Sequence, residues 1–132
     1  MRISKKSQYG LRAMVYLAKF PGKIFSLKKI SKAEGISFDY LEKIFSKLEK
    51  SGLVKGKKGV GGGYFLTKKP KKIRIGEIIK ALEGELVLVN CLKYFCPKEK
   101  KCLSKKFWQK LNQVINSALD SVTLADLLKS QE

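Results

Sequence analysis

Apolar residues recur at helical spacing through the first 35 residues of the chain. The segment from Ser7 to Phe20 carries apolar side chains on one helical face, and Pro21-Gly22 ends it. Gly35 ends a second, shorter helix that Ser26 can cap. The residues of this second helix that we expect to face inward are Leu27, Ile30 and Ala33. The pattern therefore predicts two consecutive helices before position 36.

A third helix is predicted from Phe38 to Lys50, with Ser37 as its N-cap. Its apolar residues follow the spacing i, i+3, i+4 and i+7 and form one stripe: Leu41, Ile44, Phe45 and Leu48. Only the short turn around Gly35 separates it from the second helix. Two helices joined by so tight a turn are typical of a helix-turn-helix, whose second helix enters the major groove of DNA.

The residues after the third helix predict a β-hairpin. Two short β-prone runs between Leu53 and Leu66 flank a turn rich in glycine and lysine. The glycine run lacks the Gly-Lys-Ser/Thr ending of a nucleotide-binding loop, and it leads into a strand rather than a helix. We therefore interpret the hairpin as the wing of a winged helix-turn-helix.

Beyond the hairpin the pattern is helical again. Helices are predicted from Arg74 to Glu83 and from Lys105 to Asp120, with a cysteine-containing loop between them. The predicted fold class is mainly α with a small β-hairpin wing. The predicted domains are a winged helix-turn-helix at 1–84 and a region of cysteine loop and dimerisation helices at 85–132.

The long helix has a broader apolar stripe than packing on one small domain requires. Its members are Phe107, Trp108, Leu111, Val114, Ile115, Ala118 and Leu119. A second copy of the chain could bury the surplus in a homodimer, and the alternative is that the stripe only covers the helix's own core. After it, Thr123-x-x-Asp126 resembles a capping box that opens a last short helix.

The charge balance points to a polyanionic partner. The chain has 29 Lys and Arg against 11 Asp and Glu, a formal net charge of +18. Nucleic acid is the commonest partner of so basic a domain, although a lysine-rich surface alone gives the same balance. Apolar runs of the roughly 18 residues needed to span a membrane are missing from the sequence. We therefore expect a cytoplasmic protein with reduced thiols and no membrane partner.

Candidate DNA-contacting residues lie on the outer face of the third helix and in the hairpin. Lys43 and Lys47 can meet phosphates or guanine acceptors, while Asp39 and Glu42 can accept from cytosine amino groups. A solvated face of an ordinary amphipathic helix is the alternative, and the adjoining basic hairpin favours DNA. The predicted DNA-binding residues are Arg2, Ser37, Asp39, Tyr40, Glu42, Lys43, Lys47, Lys57, Lys58, Gly59 and Gly61.

Three cysteines, Cys91, Cys96 and Cys102, lie within twelve positions between Asn90 and Ser104. Lysines in the same loop favour thiolates and offset the charge of a metal–thiolate centre. A structural zinc site wants four Cys or His ligands, and the sequence contains no His. An iron–sulfur cluster with one variable ligand fits better than three-thiolate zinc, and free or redox-switching thiols remain an alternative.

Six features together resemble the IscR-type family of iron–sulfur transcription regulators, which has NsrR- and RirA-type relatives. The features are Met1-Arg2-Ile3-Ser4, Gly35-Ile36-Ser37-x-x-Tyr40-Leu41-Glu42-x-Ile44-Phe45, Gly59-Val60-Gly61-Gly62-Gly63-Tyr64, Gly76-Glu77-Ile78-Ile79, the three cysteines, and Thr123-Leu124-Ala125-Asp126-Leu127. The resemblance covers nearly the whole chain in order. It implies a homodimer that binds a palindromic promoter site in double-stranded DNA and holds one cluster per subunit.

The resemblance also assigns roles to individual residues. It puts Asp39, Tyr40, Glu42 and Lys43 where the family contacts bases and backbone, Lys58 and Gly59 at the wing tip where members commonly place an Arg, and Cys91, Cys96 and Cys102 on the cluster. A lysine at the tip keeps the charge and loses the planar fork of Arg, which weakens its reading of groove width.

The fourth cluster ligand departs from the family pattern. Some members use a His three residues after the last cysteine, and here that position is Lys105. Others use an acid early in the first helix, and here that position is Gln8. Gln8, Glu99 or an external ligand could complete the cluster, so its nuclearity, 2Fe–2S or 4Fe–4S, is left open.

The leading hypothesis is thus a non-enzymatic, homodimeric regulator whose cluster controls promoter binding. Its alternative is a cluster-free regulator of the same fold, controlled by thiol oxidation or by a protein partner. Two other classes fit less well. An iron–sulfur electron carrier or redox enzyme would leave the basic wing without a purpose, and a general nucleic-acid coating protein would not need a base-reading helix.

Overall fold

The computed structural model describes residues 2–86, 88, 92 and 102–129 and confirms a mainly helical fold with one small antiparallel hairpin. Its elements in chain order are α1 (Lys5–Ala18), α2 (Leu27–Glu34), α3 (Phe38–Lys50), β1 (Val54–Lys57), β2 (Gly63–Leu66), a 3-10 turn (Pro70–Lys72), α4 (Ile75–Glu83), α5 (Ser104–Ser121) and α6 (Leu124–Lys129). Among the described helices, none is long and apolar enough to cross a bilayer.

Helix α1 begins at Lys5, two residues before the predicted start at Ser7. The reason is the cap at Ser4, whose Oγ accepts a hydrogen bond of 3.2 Å from the Ser7 backbone N–H. The apolar pattern cannot report this first turn, because its side chains are polar. Ser7 itself is buried.

The two following helices have the predicted caps. Ser26 opens α2, Gly35 closes it in the left-handed conformation with φ 68°, and Ser37 opens α3. One prediction for α2 was wrong: Ile30 is buried, but Ala33 is exposed. Each step of three residues falls about 60° short of a full helical turn. Ala33 has therefore rotated away from the face that Ile30 presents to the core.

The core gathers around α3, as its stripe predicted. The side chains of Leu41, Ile44, Phe45 and Leu48 are fully buried. Helix α4 adds its predicted apolar face, and α1 packs closely on α4 at Gly10, where a Cβ would lie 2.2 Å from Leu82 Cδ1. A side chain at this position would force the buried Leu82 side chain to move.

The hairpin is tied to the rest of the fold by a third extended segment. Strands β1 and β2 pair antiparallel, with Val54 opposite Leu66 and Lys57 opposite Gly63. Phe25 then bridges to Tyr64 through two backbone hydrogen bonds of 3.0 and 2.8 Å. A Cβ at Gly63 would lie 2.2 Å from the Phe25 carbonyl oxygen, so this approach requires glycine.

The C-terminal end of α5 is attached to the start of α4. The backbone N–H of Ile75 donates to the Val122 carbonyl at 2.9 Å, and that of Leu124 donates to the Ile73 carbonyl at 3.0 Å. The predicted capping box opens α6: reciprocal bonds of 2.9 and 3.2 Å join Thr123 and Asp126.

A carboxylate at the end of α4 holds the start of α1. Glu83 Oε1 accepts 2.7 Å hydrogen bonds from the Ser4 backbone N–H and from the Ser7 hydroxyl. The hydrogen bonds from Ser4 and Ser7 lower the pKa of Glu83, and partial burial opposes them. Because these bonds favour the ionised carboxylate, folding lowers the proton affinity of Glu83.

We expect Glu83→Gln to make the free energy of unfolding less dependent on pH at acidic pH. A depressed folded-state pKa gives stability that is present above the unfolded-state pKa and is lost as pH falls through the folded-state value. Urea unfolding should show a loss of about 1–2 kcal/mol for the variant at neutral pH. The difference from the wild type should shrink as pH falls below about 4.

Glu85→Gln, which removes an exposed carboxylate two residues further on, is the matched control. A gap between wild type and Glu83→Gln that stays constant down to pH 3 would contradict this role of Glu83.

Candidate nucleic-acid interface

The outer face of α3 forms one wall of a wide, open groove of about 650 Å³. Four residues predicted to contact DNA line it together: Asp39, Glu42, Lys43 and Lys47. Ser46 and Lys50 extend the same face, and Lys6 of α1 joins it from a different helix. All of these residues except Lys6 belong to the polar face of α3. This face is exposed to solvent, and the opposite, apolar face is buried.

Two other predicted residues, Ser37 and Tyr40, stabilise α3 and its position. Ser37 Oγ accepts a 3.2 Å hydrogen bond from the Tyr40 backbone N–H, so it caps the helix. The Tyr40 ring meets the edge of Tyr9, with 5.5 Å between centroids, and Arg12 lies over Tyr9 at 5.8 Å. Tyr40 is half-buried and therefore locks the α3 N-terminus against α1.

The wing presents its predicted residues to solvent. Lys57, Lys58, Gly59 and Gly61 are exposed, and Val60 between the glycines is fully exposed at the tip. Gly59 and Gly61 have positive φ angles of 94° and 74°, which fold the chain back over a short turn. Lys57 therefore stands at the end of β1 and Lys58 in the exposed turn that follows it.

The base of the wing is anchored to α3 by Glu49, a residue that the sequence did not single out. Glu49 Oε2 accepts a 2.8 Å hydrogen bond from the backbone N–H of Gly56 in β1. The Tyr64 ring packs on Phe45 with 4.9 Å between centroids. Burial, then the nearby charges of Glu49 and Glu42, raise the pKa of Tyr64, so its hydroxyl stays protonated.

Arg2 and Lys6 extend the basic surface beyond the helix-turn-helix. Arg2 was predicted and is exposed, whereas Lys6 was not predicted. A run of basic residues at the N-terminus was the only sequence signal for Lys6, because its proximity to α3 depends on how α1 packs. Glu49 had no such signal, since its partner is a backbone N–H.

The candidate cysteine site lies only partly within the described chain. Cys91 and Cys96, with Glu99, fall outside the described residues. Cys102 is half-buried just before α5, with its Sγ 3.1 Å from Ser104 Oγ. The hydrogen bond with Ser104, then one from the Lys105 backbone, lowers the pKa of the Cys102 thiol. Cysteine binds the iron of a cluster as a thiolate, so a lowered thiol pKa favours the form that the cluster would bind.

Gln8, the alternative fourth ligand at the start of α1, is hydrogen-bonded within its own segment. Gln8 Nε2 donates a 2.9 Å hydrogen bond to the Ile3 carbonyl. Within the described residues, which contain one of the three cysteines, no group of three or more Cys, Asp or Glu side chains could hold a metal ion.

Comparison with known families gives one match that spans residues 3–130: Rrf2, described as an iron-dependent transcriptional regulator. The chain is 38% identical to the HTH-type transcriptional regulator IscR of Klebsiella pneumoniae, over all of this chain and 82% of that protein. The Escherichia coli IscR proteins are also 38% identical, with 83% of their length covered.

Solved structures give the same result. IscR from T. potens superposes with a TM-score of 0.81 at 40% identity, over all of this chain and 89% of that one. CymR, the global cysteine regulator of B. subtilis, superposes with a TM-score of 0.82 at 37% identity, over all of this chain and 99% of that one.

Proposed function

Since the chain belongs to the Rrf2 family of iron-dependent transcriptional regulators, we propose that it is a homodimer that binds a palindromic site in double-stranded DNA under control of an iron–sulfur cluster. The observation that carries the DNA-binding part is the joint placement of the α3 face and the wing. Both are exposed and basic, and Glu49 and Tyr64 hold them in one rigid unit. A face that reads bases must be held in this way.

The positions of three residues along α3 suit contact with bases in the major groove. Asp39, Glu42 and Lys43 lie in the first half of α3, and the N-terminal residues of a recognition helix are those that meet base edges. Carboxylates accept from cytosine and lysine donates to guanine. Lys57 and Lys58 at the wing then reach the backbone or the minor groove. The net charge of +18 supplies the nonspecific attraction.

Helix α5 supports the homodimer. Although α5 has 18 residues, none is buried in the single chain, and Phe107 and Val114 keep 58% and 57% of their surface exposed. An apolar groove of about 320 Å³ lies beside it, lined in part by Leu11, Ile115 and Leu127. Exposed apolar surface of this kind is covered in stable proteins, and a second α5 would cover it symmetrically.

We assign the cluster to Cys91, Cys96 and Cys102. The lowered pKa of Cys102 supports the assignment, as does the clustering of all three cysteines of the chain in one segment. A bound cluster supplies a redox-active centre whose assembly and loss depend on iron and oxidants. The chain's own contribution is Ser104, which stabilises the thiolate, and α5, which starts next to Cys102.

A cluster-free regulator of the same fold is the second candidate. Its support is that one structural neighbour is named for cysteine regulation and another is an oxidised form of Staphylococcus aureus CymR, 34% identical to this chain. A readily ionised Cys102 also suits thiol oxidation. The cluster is favoured here because one oxidation switch requires two thiols at most, and the segment holds three.

We expect the double variant Lys43→Ala plus Lys58→Ala to lose discrimination between operator and random DNA. The variant lacks one proposed contact to a base edge and one at the wing tip. The ratio of its affinities for operator and for random DNA should fall by tenfold or more, because each specific contact contributes about 1–3 kcal/mol. Fluorescence anisotropy on an operator selected from a random library by the wild type measures it. Lys19→Ala plus Lys129→Ala removes the same charge away from α3 and the wing. Equal weakening on every DNA would indicate a coating protein instead.

Sedimentation velocity should report a dimer for the wild type and a monomer for Val114→Glu. The new carboxylate would be desolvated in the proposed α5 interface, at a cost of several kcal/mol. Gln113→Glu adds the same charge at the neighbouring exposed position and should stay dimeric. A dimeric Val114→Glu protein would place the interface elsewhere.

Protein reconstituted anaerobically with iron and sulfide should show visible cluster absorbance and changed operator affinity. Replacing all three cysteines by Ser should abolish both, because the serine hydroxyl is a far poorer iron ligand than a thiolate. Ser121→Ala, distant in sequence from the loop, is the control for handling. If the wild type binds no cluster but loses affinity on mild oxidation, and the triple variant does not, the thiol-controlled regulator is correct.

A further inference from the structure

Two lysines from different helices line the same groove beside α3. Lys6 is the second residue of α1 and is half-buried, while Lys47 lies in the last turn of α3. Both line the groove that contains Asp39, Glu42 and Lys43. Close contact with the Lys6 side chain, then repulsion by its charge, lowers the pKa of Lys47.

The described chain does not neutralise this pair. The salt bridges among the described residues join Arg12 to Glu34 and Lys68 to Glu77, so neither Lys6 nor Lys47 has a carboxylate within 4.0 Å. Glu83 raises the pKa of Lys47 only as the smallest of the four influences on it. Its carboxylate is already bonded to Ser4 and Ser7. Within the described part of the chain, neither ammonium of the pair is therefore in a direct salt bridge, although Asp39 and Glu42 line the same groove.

Two ammonium groups that face one groove repel each other, and an anion between them replaces the repulsion with two attractions. A phosphodiester suits the gap, because its two non-bridging oxygens can each accept from one ammonium. Lysine binds phosphate as a compact point charge and does not need the planar geometry that Arg requires. A pair of lysines is thus matched to one phosphate rather than to a base edge.

The position of Lys47 along α3 also favours a phosphate as the bound group. Base-reading residues lie at the start of a recognition helix, and Lys47 lies near its end. Lys6 lies outside the helix-turn-helix. Phosphate contacts of this kind fix the register and orientation of a recognition helix without reading sequence.

We propose that Lys6 and Lys47 together bind a single phosphodiester of the DNA backbone, and so orient α3 in the groove. This inference rests on the proposed DNA-binding function. It adds α1 to the DNA-binding surface, and it gives Glu83 a second role. By holding Ser4 and Ser7, Glu83 fixes the start of α1 and keeps Lys6 within reach of Lys47.

A chemical double-mutant cycle tests the shared phosphate. Operator duplexes with one neutral methylphosphonate at successive linkages are titrated with wild type, Lys6→Gln and Lys47→Gln. With the wild type, affinity should drop about tenfold at one linkage per half-site. Each variant should bind unmodified operator three- to tenfold more weakly, and neutralising that same linkage should weaken its binding by correspondingly less than tenfold. The double variant should lose about tenfold in total, as the wild type does on the neutral linkage, and should be insensitive to that linkage.

Three controls separate the outcomes. Lys19→Gln removes one charge at the far end of α1 and should keep the wild-type linkage profile. Lys6→Arg should retain most of the affinity, and no variant should unfold at a lower temperature than the wild type. Two variants that each lose sensitivity at different linkages, or at none, overturn the shared site. A wild type that binds operator and random DNA equally would instead overturn the proposed function as well.

Discussion

Complete burial of one face of α3 determines how the rest of the protein is arranged. Four side chains of this helix have no exposed surface: Leu41, Ile44, Phe45 and Leu48. Helices α1, α2 and α4 and strand β1 all pack around them. Each contributes about 1.5–3 kcal/mol on burial, so any rotation of α3 about its axis would cost several kcal/mol. The polar face is therefore held outward as rigidly as the apolar face is held inward.

The same helix also fixes the wing. Glu49 bonds the first strand, and Phe45 packs on Tyr64 of the second. The extended segment at Phe25 closes the third side through its bridge to Tyr64. The hairpin therefore moves with α3, and only the glycine tip can adapt to a groove. For a DNA reader this division is useful, because the spacing between helix and wing stays constant while the last contact adjusts.

Local patterns in the sequence predicted the helices and strands. They did not predict contacts between residues that are distant in the sequence. Helical periodicity identified the α3 stripe without error, because a helix repeats every 3.6 residues in any surroundings. Ala33 was assigned inward because a two-turn helix is too short to define its buried face. The Ser7–Glu83 hydrogen bond joins residues 76 positions apart, and Lys6 and Lys47 line one groove although they belong to different helices. No sequence pattern marks such pairs.

A continuous set of packed contacts joins the cysteine segment to the face proposed to meet DNA. Helix α5 starts beside Cys102, and its other end lies against Gly76 of α4, where a Cβ would come within 3.1 Å of the Leu119 carbonyl. Helix α4 ends at Glu83, which holds the start of α1 and lies near Lys47. Because the backbones of α4 and α5 approach closely at Gly76, a displacement of α5 would press on α4 at this point. Regulation then requires only about 1–3 kcal/mol of coupling. A small shift at the proposed phosphate site would be enough, since phosphate contacts fix the register of a recognition helix on DNA.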